Sequence, residues 1–251
     1  MTLTLGRGPL STDPPDEANY RIEGPRHRVL LTPFPRRVRA EFNGATVLDT
    51  SEGVLLHESN LLPVLYVPER DVQADLLRPT DHHTHCPFKG DASYWSIHVG
   101  DRVAENAVWS YPDPIESAPW LKGYLAFYFD RLDRWFDEAE EIFAHLRDPY
   151  HRVDVRQSSR GVRVTIGDVV VAESAAPLVL SETGLPNRHY LTPADVKMDV
   201  LEPSDSTSVC PYKGRAKYWR HRRGARRRRR VVVSGAGAGY GVDRRTHRVR
   251  R

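Results

Sequence analysis

The sequence predicts a mainly β protein made of two tandem small domains, and three observations support this. First, residues 81–95 recur as residues 205–219 at a constant offset (205 − 81 = 124). Second, the same offset gives 25 identities over the 71 aligned positions of 25–95 and 149–219, without a gap. Third, short apolar runs alternate with prolines, glycines and hairpin signals, which leaves little room for long helices. A repeat of this length has the size of an ordinary domain, so we predict two domains rather than a solenoid.

The first repeat, residues 25–129, is predicted to consist of short strands. Asn43 and Gly44 are a strong two-residue hairpin signal between two β-rich segments. Prolines interrupt the chain too often for long helices, so we expect the connections to be loops and tight turns. The β-rich segments are 27–31, 37–42, 45–49, 54–57, 64–67, 94–99, 102–109 and 124–129.

The segment between the repeats, residues 130–148, is the one stretch that we predict to be helical. Its apolar residues fall near helical spacing, with acidic residues between them. We therefore expect a short helical linker. The second repeat, residues 149–219, then begins, and Gly167 and Asp168 mark its first hairpin.

The two ends of the chain differ from the repeats in composition. Residues 1–24 contain no apolar run long enough for a signal peptide or a membrane span, so we expect a flexible arm on a soluble, cytoplasmic protein with no membrane partner. Residues 220–251 hold 13 arginines and one acid, a net charge of +12, whereas the whole chain carries +4. The remaining residues therefore carry −8 (4 − 12 = −8).

After Trp219, an arginine-rich segment takes the place of the expected strand. Residues 220–223 are Arg-His-Arg-Arg, and possible codons for them, read one nucleotide later, encode Val-Thr-Val-Gly. Those residues would restore the expected strand. We therefore predict that the second repeat is incomplete after Trp219 and that 220–251 is a disordered tail produced by a reading-frame slip. On this prediction nucleic acid is not a partner; a genuine arginine-rich nucleic-acid arm is the alternative.

The repeated Cys-Pro-x-Lys-Gly motif contains the first chemical candidates. Cationic neighbours such as Lys89 could hold Cys86 as a thiolate, the form that a nucleophilic or redox cysteine requires. Glu58 follows an apolar strand and could act as an acid or base. The alternatives are that Cys86 packs as a small hydrophobic residue and that Lys89 is a solvated turn lysine. Two cysteines at equivalent places do not indicate a disulfide framework.

The remaining histidines are candidates for metal binding or for structural pairing. The histidines of 82–85 and Cys86 have metal-ligand chemistry, but the second repeat has Ser206, Thr207 and Val209 instead of the histidines. We therefore predict neither a metal nor another cofactor. We expect structural pairs across the fold from His27-Arg28 and His151-Arg152, with either Asp71 and Asp195 or Asp75 and Asp199 as their partners.

Several longer motifs together resemble a known family. They are Glu58, Tyr66-Val-Pro, Asp71-Val, the run from His85 to Trp95, and Val108-Trp-Ser-Tyr111. In these motifs the chain is similar to the bacterial family called domain of unknown function 427, over about 25–128 and 149–219. The resemblance implies a β-tent fold, similar to methionine sulfoxide reductase B and to the ligand-binding domain of cereblon. The family is also classed as nucleotidyltransferase-like, but the sequence has no glycine-rich phosphate loop and no paired-aspartate metal motif.

The function that we predict is the binding of an unknown small molecule. Aromatic residues beside Glu58 and Lys89 could form its cleft, although Tyr94 and Trp95 point to opposite faces of a strand. One alternative is an enzyme with Cys86 as nucleophile or redox group and Glu58 as acid or base, and another is a structural scaffold. The sequence leaves the oligomeric state open. The predicted ligand-binding residues are Tyr66, Tyr94, Trp95, Trp109, Tyr111, Glu182, Tyr190, Cys210, Lys213 and Trp219.

Overall fold

The computed structural model describes residues 23–221 without a gap, together with residues 4, 8–13, 19, 230–234 and 248–250. It divides into two compact units, Thr2–Asp148 and Pro149–Arg251. The described residues form antiparallel strands and single-turn 3-10 helices, with no α-helix among them, so the mainly β prediction is confirmed. No helix in this part of the chain is long and apolar enough to cross a membrane.

The first unit contains two antiparallel sheets. In chain order its strands are β1 (Val29–Pro33), β2 (Val38–Phe42), β3 (Ala45–Thr50), β4 (Val54–Glu58), β5 (Val64–Pro68), β6 (Leu77–Cys86), β7 (Gly90–Val99), β8 (Arg102–Ser110), β9 (Tyr124–Phe127), β10 (Arg134–Asp137) and β11 (Glu140–Ile142). Seven strands form the larger sheet in the order β1-β4-β5-β9-β8-β7-β6, and the smaller sheet has the order β11-β10-β2-β3. Its 3-10 helices are Glu69–Asp71, Ala74–Leu76, Pro119–Leu121 and Phe129–Arg131.

The larger sheet buries side chains on both of its faces. Successive residues of a strand point to opposite faces, and accordingly Leu55 joins one hydrophobic cluster and Leu56 the other. The first cluster, called here the inter-sheet core, also contains Val38, Leu48 and Trp135 from the smaller sheet and its connections. The second cluster lies on the opposite face and contains five of the first unit's eight candidate site residues.

The helix predicted for 130–148 is wrong, because residues 134–142 within it form a hairpin. Strand β10 pairs with β2, with Trp135 opposite Ala40, and β11 pairs with β10. The tight turn between them includes Glu138, which has a φ of 55°. Trp135 is buried in the inter-sheet core and its indole Nε1 donates to Phe129 O at 3.0 Å. Over so short a window, apolar spacing fits a helix or two strands, and pairing with β2 decides the outcome. The first unit therefore continues to Asp148 instead of ending at residue 129.

The larger sheet of the second unit has the same strand order as the larger sheet of the first. Its strands are β12 (Val153–Gln157), β13 (Val162–Ile166), β14 (Val169–Ser174), β15 (Leu178–Glu182), β16 (Leu185–Leu191), β17 (Leu201–Cys210), β18 (Gly214–His221), β19 (Arg230–Ser234) and β20 (Arg248–Arg250), with 3-10 helices Pro193–Asp195 and Met198–Val200. Seven of them form a sheet in the order β12-β15-β16-β20-β19-β18-β17, and β13 pairs with β14. The elements from β12 to β18 thus repeat those from β1 to β7 in kind and in order.

The prediction that the second repeat ends at Trp219 is wrong for the described residues. Strand β19 pairs with β18, with Val231 opposite Trp219, and β20 pairs with β19 and β16. The prediction rested on the arginines that directly follow Trp219, but beyond them Arg230–Ser234 pairs with β18 as β8 pairs with β7. Residues 222–229, 235–247 and 251 lie outside the described residues, so disorder there and the reading-frame slip stay predictions.

The predicted flexible arm is hydrogen-bonded to the first unit where it is described. Arg28 Nη1 donates to Ser11 O at 2.6 Å, and Ser59 Oγ donates to Leu10 O at 2.9 Å. Ser11 is fully buried. At these residues, therefore, the arm is docked and not loose.

Candidate functional site

The Cys-Pro-x-Lys-Gly motif forms the tight turn between β6 and β7. Lys89 N donates to Cys86 O at 3.2 Å, and Ile115 N from a later loop donates to Lys89 O at 3.1 Å. Gly90 has a φ of +109°, and a Cβ there would lie 3.3 Å from Asp113 O and Ile115 N. Glycine is therefore required, and this turn places Lys89 against the end of β4.

Lys89 meets Glu58 and His27 in a buried polar group, called here the first triad. Lys89 Nζ donates to Glu58 Oε1 at 2.5 Å, and His27 Nε2 lies 3.1 Å from Glu58 Oε2. Glu58 is 6% exposed and Lys89 is 8% exposed. The His27 ring stacks on Phe88, with centroids 4.2 Å apart. Glu58 thus contacts both partners in a buried position, where an unpaired charge would destabilise the folded protein.

The second unit builds the same arrangement, the second triad, from His151, Glu182 and Lys213. Lys213 Nζ donates to Glu182 Oε1 at 2.6 Å and to Oε2 at 2.7 Å, and His151 Nε2 lies 3.1 Å from Oε1. Burial alone would raise the pKa of Glu182, but the hydrogen bonds and charges of His151 and Lys213 outweigh it and lower the pKa to about 2. Glu182 is therefore ionised at neutral pH.

A group of aromatic residues lies beside the first triad. We call Tyr66, Tyr94, Tyr111, Trp109 and Cys86 the tyrosine cluster; its three tyrosines are buried, and Trp109 and Cys86 are half-buried against them. The Trp109 indole Nε1 donates to the Tyr66 hydroxyl at 3.3 Å, and Lys89 Nζ lies 5.5 Å from the centre of the Tyr111 ring. The cluster therefore adjoins the first triad.

The hydroxyls of Tyr66 and Tyr111 stay protonated at neutral pH. Burial raises the pKa of Tyr66, and the hydrogen bond from Trp109 only partly opposes the rise. Burial likewise raises the pKa of Tyr111, and the neighbouring Tyr66, Cys86 and Glu58 add to the rise. Both tyrosines are therefore hydrogen-bond donors and not phenolates.

The cluster reaches the surface through two ring contacts that the sequence did not reveal. The Tyr128 ring lies 4.6 Å from the Trp109 ring and is 41% exposed. The exposed His82 packs edge-on against Tyr94, with ring centroids 4.4 Å apart. His82 corresponds to Ser206, and the offset of Tyr128 (128 + 124 = 252) falls beyond the 251-residue sequence, so the duplication gave no signal for either.

Several predicted residues lie elsewhere. Trp95 packs against the inter-sheet core, on the opposite face of β7 from Tyr94, and so lies apart from the residues predicted to share a cleft with it. Trp219 likewise packs against the second unit's core beside Val164 and Val200. Tyr190 is buried and Cys210 is half-buried.

The polar pairs expected from sequence also differ from those in the structure. His27 contacts Glu58 and not Asp71, whose carboxylate instead accepts a hydrogen bond from Thr50 Oγ1 at 2.6 Å. His85 Nδ1 lies 2.6 Å from Asp91 Oδ1 at the surface. Across the described residues, no three His, Cys, Asp or Glu side chains are grouped so that they could hold a metal ion.

The chain matches a known protein family over most of its length. The family described as domain of unknown function (DUF427) matches residues 30–138 and 154–234, more than half of the 251-residue chain. The second matched segment continues past Trp219 into β19. No curated protein matches the chain.

Proposed function

This chain belongs to the family of domain of unknown function 427, and because that description states no activity, we propose from the site itself that the first unit binds a small planar molecule at the tyrosine cluster. The observation that carries the proposal is the assembly of aromatic rings and protonated hydroxyls beside a neutralised ion pair. The half-buried Trp109 and its exposed neighbour Tyr128 give access from solvent.

The rings favour a flat ligand. Trp109 contacts both Tyr66 and Tyr128, and Lys89 lies over the Tyr111 ring. Offset or edge-on ring contacts each add about 0.5–1.5 kcal/mol beyond area burial. A planar ligand can make several such contacts, whereas a globular aliphatic one cannot.

The polar groups favour a neutral ligand that accepts hydrogen bonds. Lys89 and Glu58 cancel each other's charge, so the first triad offers no net charge to a ligand. The Tyr66 hydroxyl accepts from Trp109, which leaves its own proton to donate. An amide or lactam carbonyl on a planar ring fits this combination.

The enzymatic alternative has less support, because Glu58 is already engaged. Its two carboxylate oxygens contact Lys89 and His27, so it could accept a proton from a substrate only after one of these contacts breaks. Cys86 remains a half-buried thiol beside the tyrosines, and its reactivity is tested below.

We also propose that the two units are tandem copies of one β-tent-like domain that acts in the cytoplasm. The support is the element-by-element repetition of β1–β7 in β12–β18. The two cysteines, Cys86 and Cys210, are both free thiols, as is usual in a reducing compartment.

The proposed binding can be tested with benzamide as the planar probe and cyclohexanecarboxamide as its non-planar analogue. We expect saturation-transfer NMR to show binding of benzamide only. Tyr66→Phe should weaken it about fivefold, because a net hydrogen bond is worth about 1 kcal/mol. Tyr150→Phe, at an exposed tyrosine outside the cluster, should leave it unchanged. Equal binding of the two amides, or none, would overturn the proposal.

A further inference from the structure

We infer that the second unit takes a different class of ligand, a small carboxylate, because Arg188 adds a positive charge beside the second triad. The inference rests on the proposed function, since it takes the triad face to be a ligand-binding face in both units. The first unit has Val64 at the corresponding position (188 − 64 = 124).

The two residues occupy the same place in their sheets. Val64 pairs with Leu56 across β5 and β4, and Arg188 pairs with Leu180 across β16 and β15. The Val64 side chain packs against the hydrophobic cluster that includes Tyr66 and Tyr94. Arg188 therefore extends from a position that faces the site.

Arg188 makes the charge around the second triad more positive by one unit than that around the first. In the first, Lys89 neutralises Glu58. In the second, Lys213 already donates to both oxygens of Glu182, and Arg188 Nη1 lies 4.0 Å from Glu182 Oε2. Counting Glu182, Lys213 and Arg188 as ionised, the second site has a net charge of +1.

The Arg188 guanidinium is also available to a ligand. Its side chain is 36% exposed, and within the described residues it donates no hydrogen bond. A contact of 4.0 Å to Glu182 is a weak ion pair that leaves its donors in solvent. A guanidinium presents paired donors that match a carboxylate, and such charge-assisted pairs are stronger than neutral hydrogen bonds.

The second repeat also has no aromatic residue at the pairing position that Trp109 holds in the first. Trp109 pairs with Tyr94 on the neighbouring strand, whereas the residue that pairs with Tyr218 is Val232. The segment after Trp219 contains no tryptophan in sequence. We therefore expect charge, rather than stacking on a tryptophan, to be the main source of affinity in the second unit.

The test uses the full chain, with benzoate and benzamide as nearly isosteric charged and neutral probes. We expect calorimetry and ligand-observed NMR to show one benzoate site on the wild-type chain. Arg188→Val, which copies the first unit, should weaken benzoate at least about tenfold and leave benzamide unchanged. Val64→Arg should add a second benzoate site. Arg156→Val, which removes an exposed arginine elsewhere in the second unit, is the matched control.

The outcomes separate this inference from the function on which it rests. Benzamide binding without benzoate binding, or an equal loss in Arg156→Val and Arg188→Val, would overturn the inference and leave the proposed function standing. Benzoate binding without benzamide binding would overturn the proposed function instead. If Arg188→Val unfolds, Arg188→Gln keeps the side-chain length while removing the charge, and it should show the same selective loss of benzoate.

Discussion

Lys89 and Glu58, which are 31 residues apart in sequence, meet as a buried ion pair with Nζ and Oε1 2.5 Å apart. This contact links the turn between β6 and β7 to the last residue of β4. Lys213 and Glu182 make the equivalent contact in the second unit, also across 31 residues. Such a pair adds little net stability over a well-packed apolar pair, but the loss of one partner leaves a buried charge uncompensated.

Lys89→Met should therefore destabilise the first unit by about 3–5 kcal/mol, because Glu58 would stay buried without its cation. Urea unfolding measures the change. Lys122→Met is the matched control, since the Lys122 side chain is 70% exposed and its loss should cost less than about 0.5 kcal/mol. The double variant Lys89→Met with Glu58→Gln should recover much of the lost stability. Equal effects at positions 89 and 122 would contradict this account.

The second unit should lose stability in acid as Glu182 is protonated. Its pKa is about 2 in the folded chain against 4.5 ordinarily, so its contribution is fully present above pH 4.5 and is lost as the pH falls towards 2. That contribution is about 3 kcal/mol at neutral pH. Hydrogen exchange of amides in 149–221 between pH 5 and 2.5 measures it. In the Glu182→Gln variant, the stability of the second unit should depend less on pH. An unchanged dependence would mean that Glu182 is not the group responsible for the loss in acid.

Gly90→Ala should destabilise the first unit by about 1–3 kcal/mol. The residue needs a φ of +109°, and its Cβ would meet backbone atoms at 3.3 Å. Gly123→Ala is the control, because Gly123 has a φ of +82° but a Cβ there meets nothing within 4 Å. Thermal unfolding should therefore show a smaller drop for Gly123→Ala. The reverse order would mean that the loop of 113–115 does not pack on this turn as described.

Cys86 should be a slow thiol that ligand binding protects. It is half-buried among tyrosines, and we expect iodoacetamide to alkylate it more slowly than free glutathione at pH 7. Saturating benzamide should slow the reaction at Cys86 and leave Cys210 unaffected. Peptide mass spectrometry separates the two sites. Alkylation of Cys86 faster than glutathione at pH 6 would instead support the enzymatic alternative.

Periodic and local signals were enough to predict the strands. The hairpin at Asn43 and Gly44 is confirmed, with φ values of 47° and 79° and Phe42 opposite Ala45. The mainly β class followed from short apolar runs and frequent turn residues. These signals depend on backbone preferences of a few adjacent residues, which the sequence states directly.

The composition of the site was only partly predictable. Glu58 and Lys89 are identical in both repeats, which marked them as candidates, and His27 was marked in the same way but given the wrong partner. Spacing alone does not say which of several acids a histidine meets. That choice depends on which strands become neighbours.

The sequence by itself thus determined the repeat, the strand-rich class and the turn that holds Lys89, because each depends on local or periodic preference. Only the tertiary structure decided that Glu58 meets both Lys89 and His27, and that Tyr94 faces the site while Trp95 faces the inter-sheet core. It also decided that residues 134–142 form a hairpin on β2. These outcomes depend on pairing between strands far apart in sequence, and the alternation of side chains across a sheet then fixes which residues share a face.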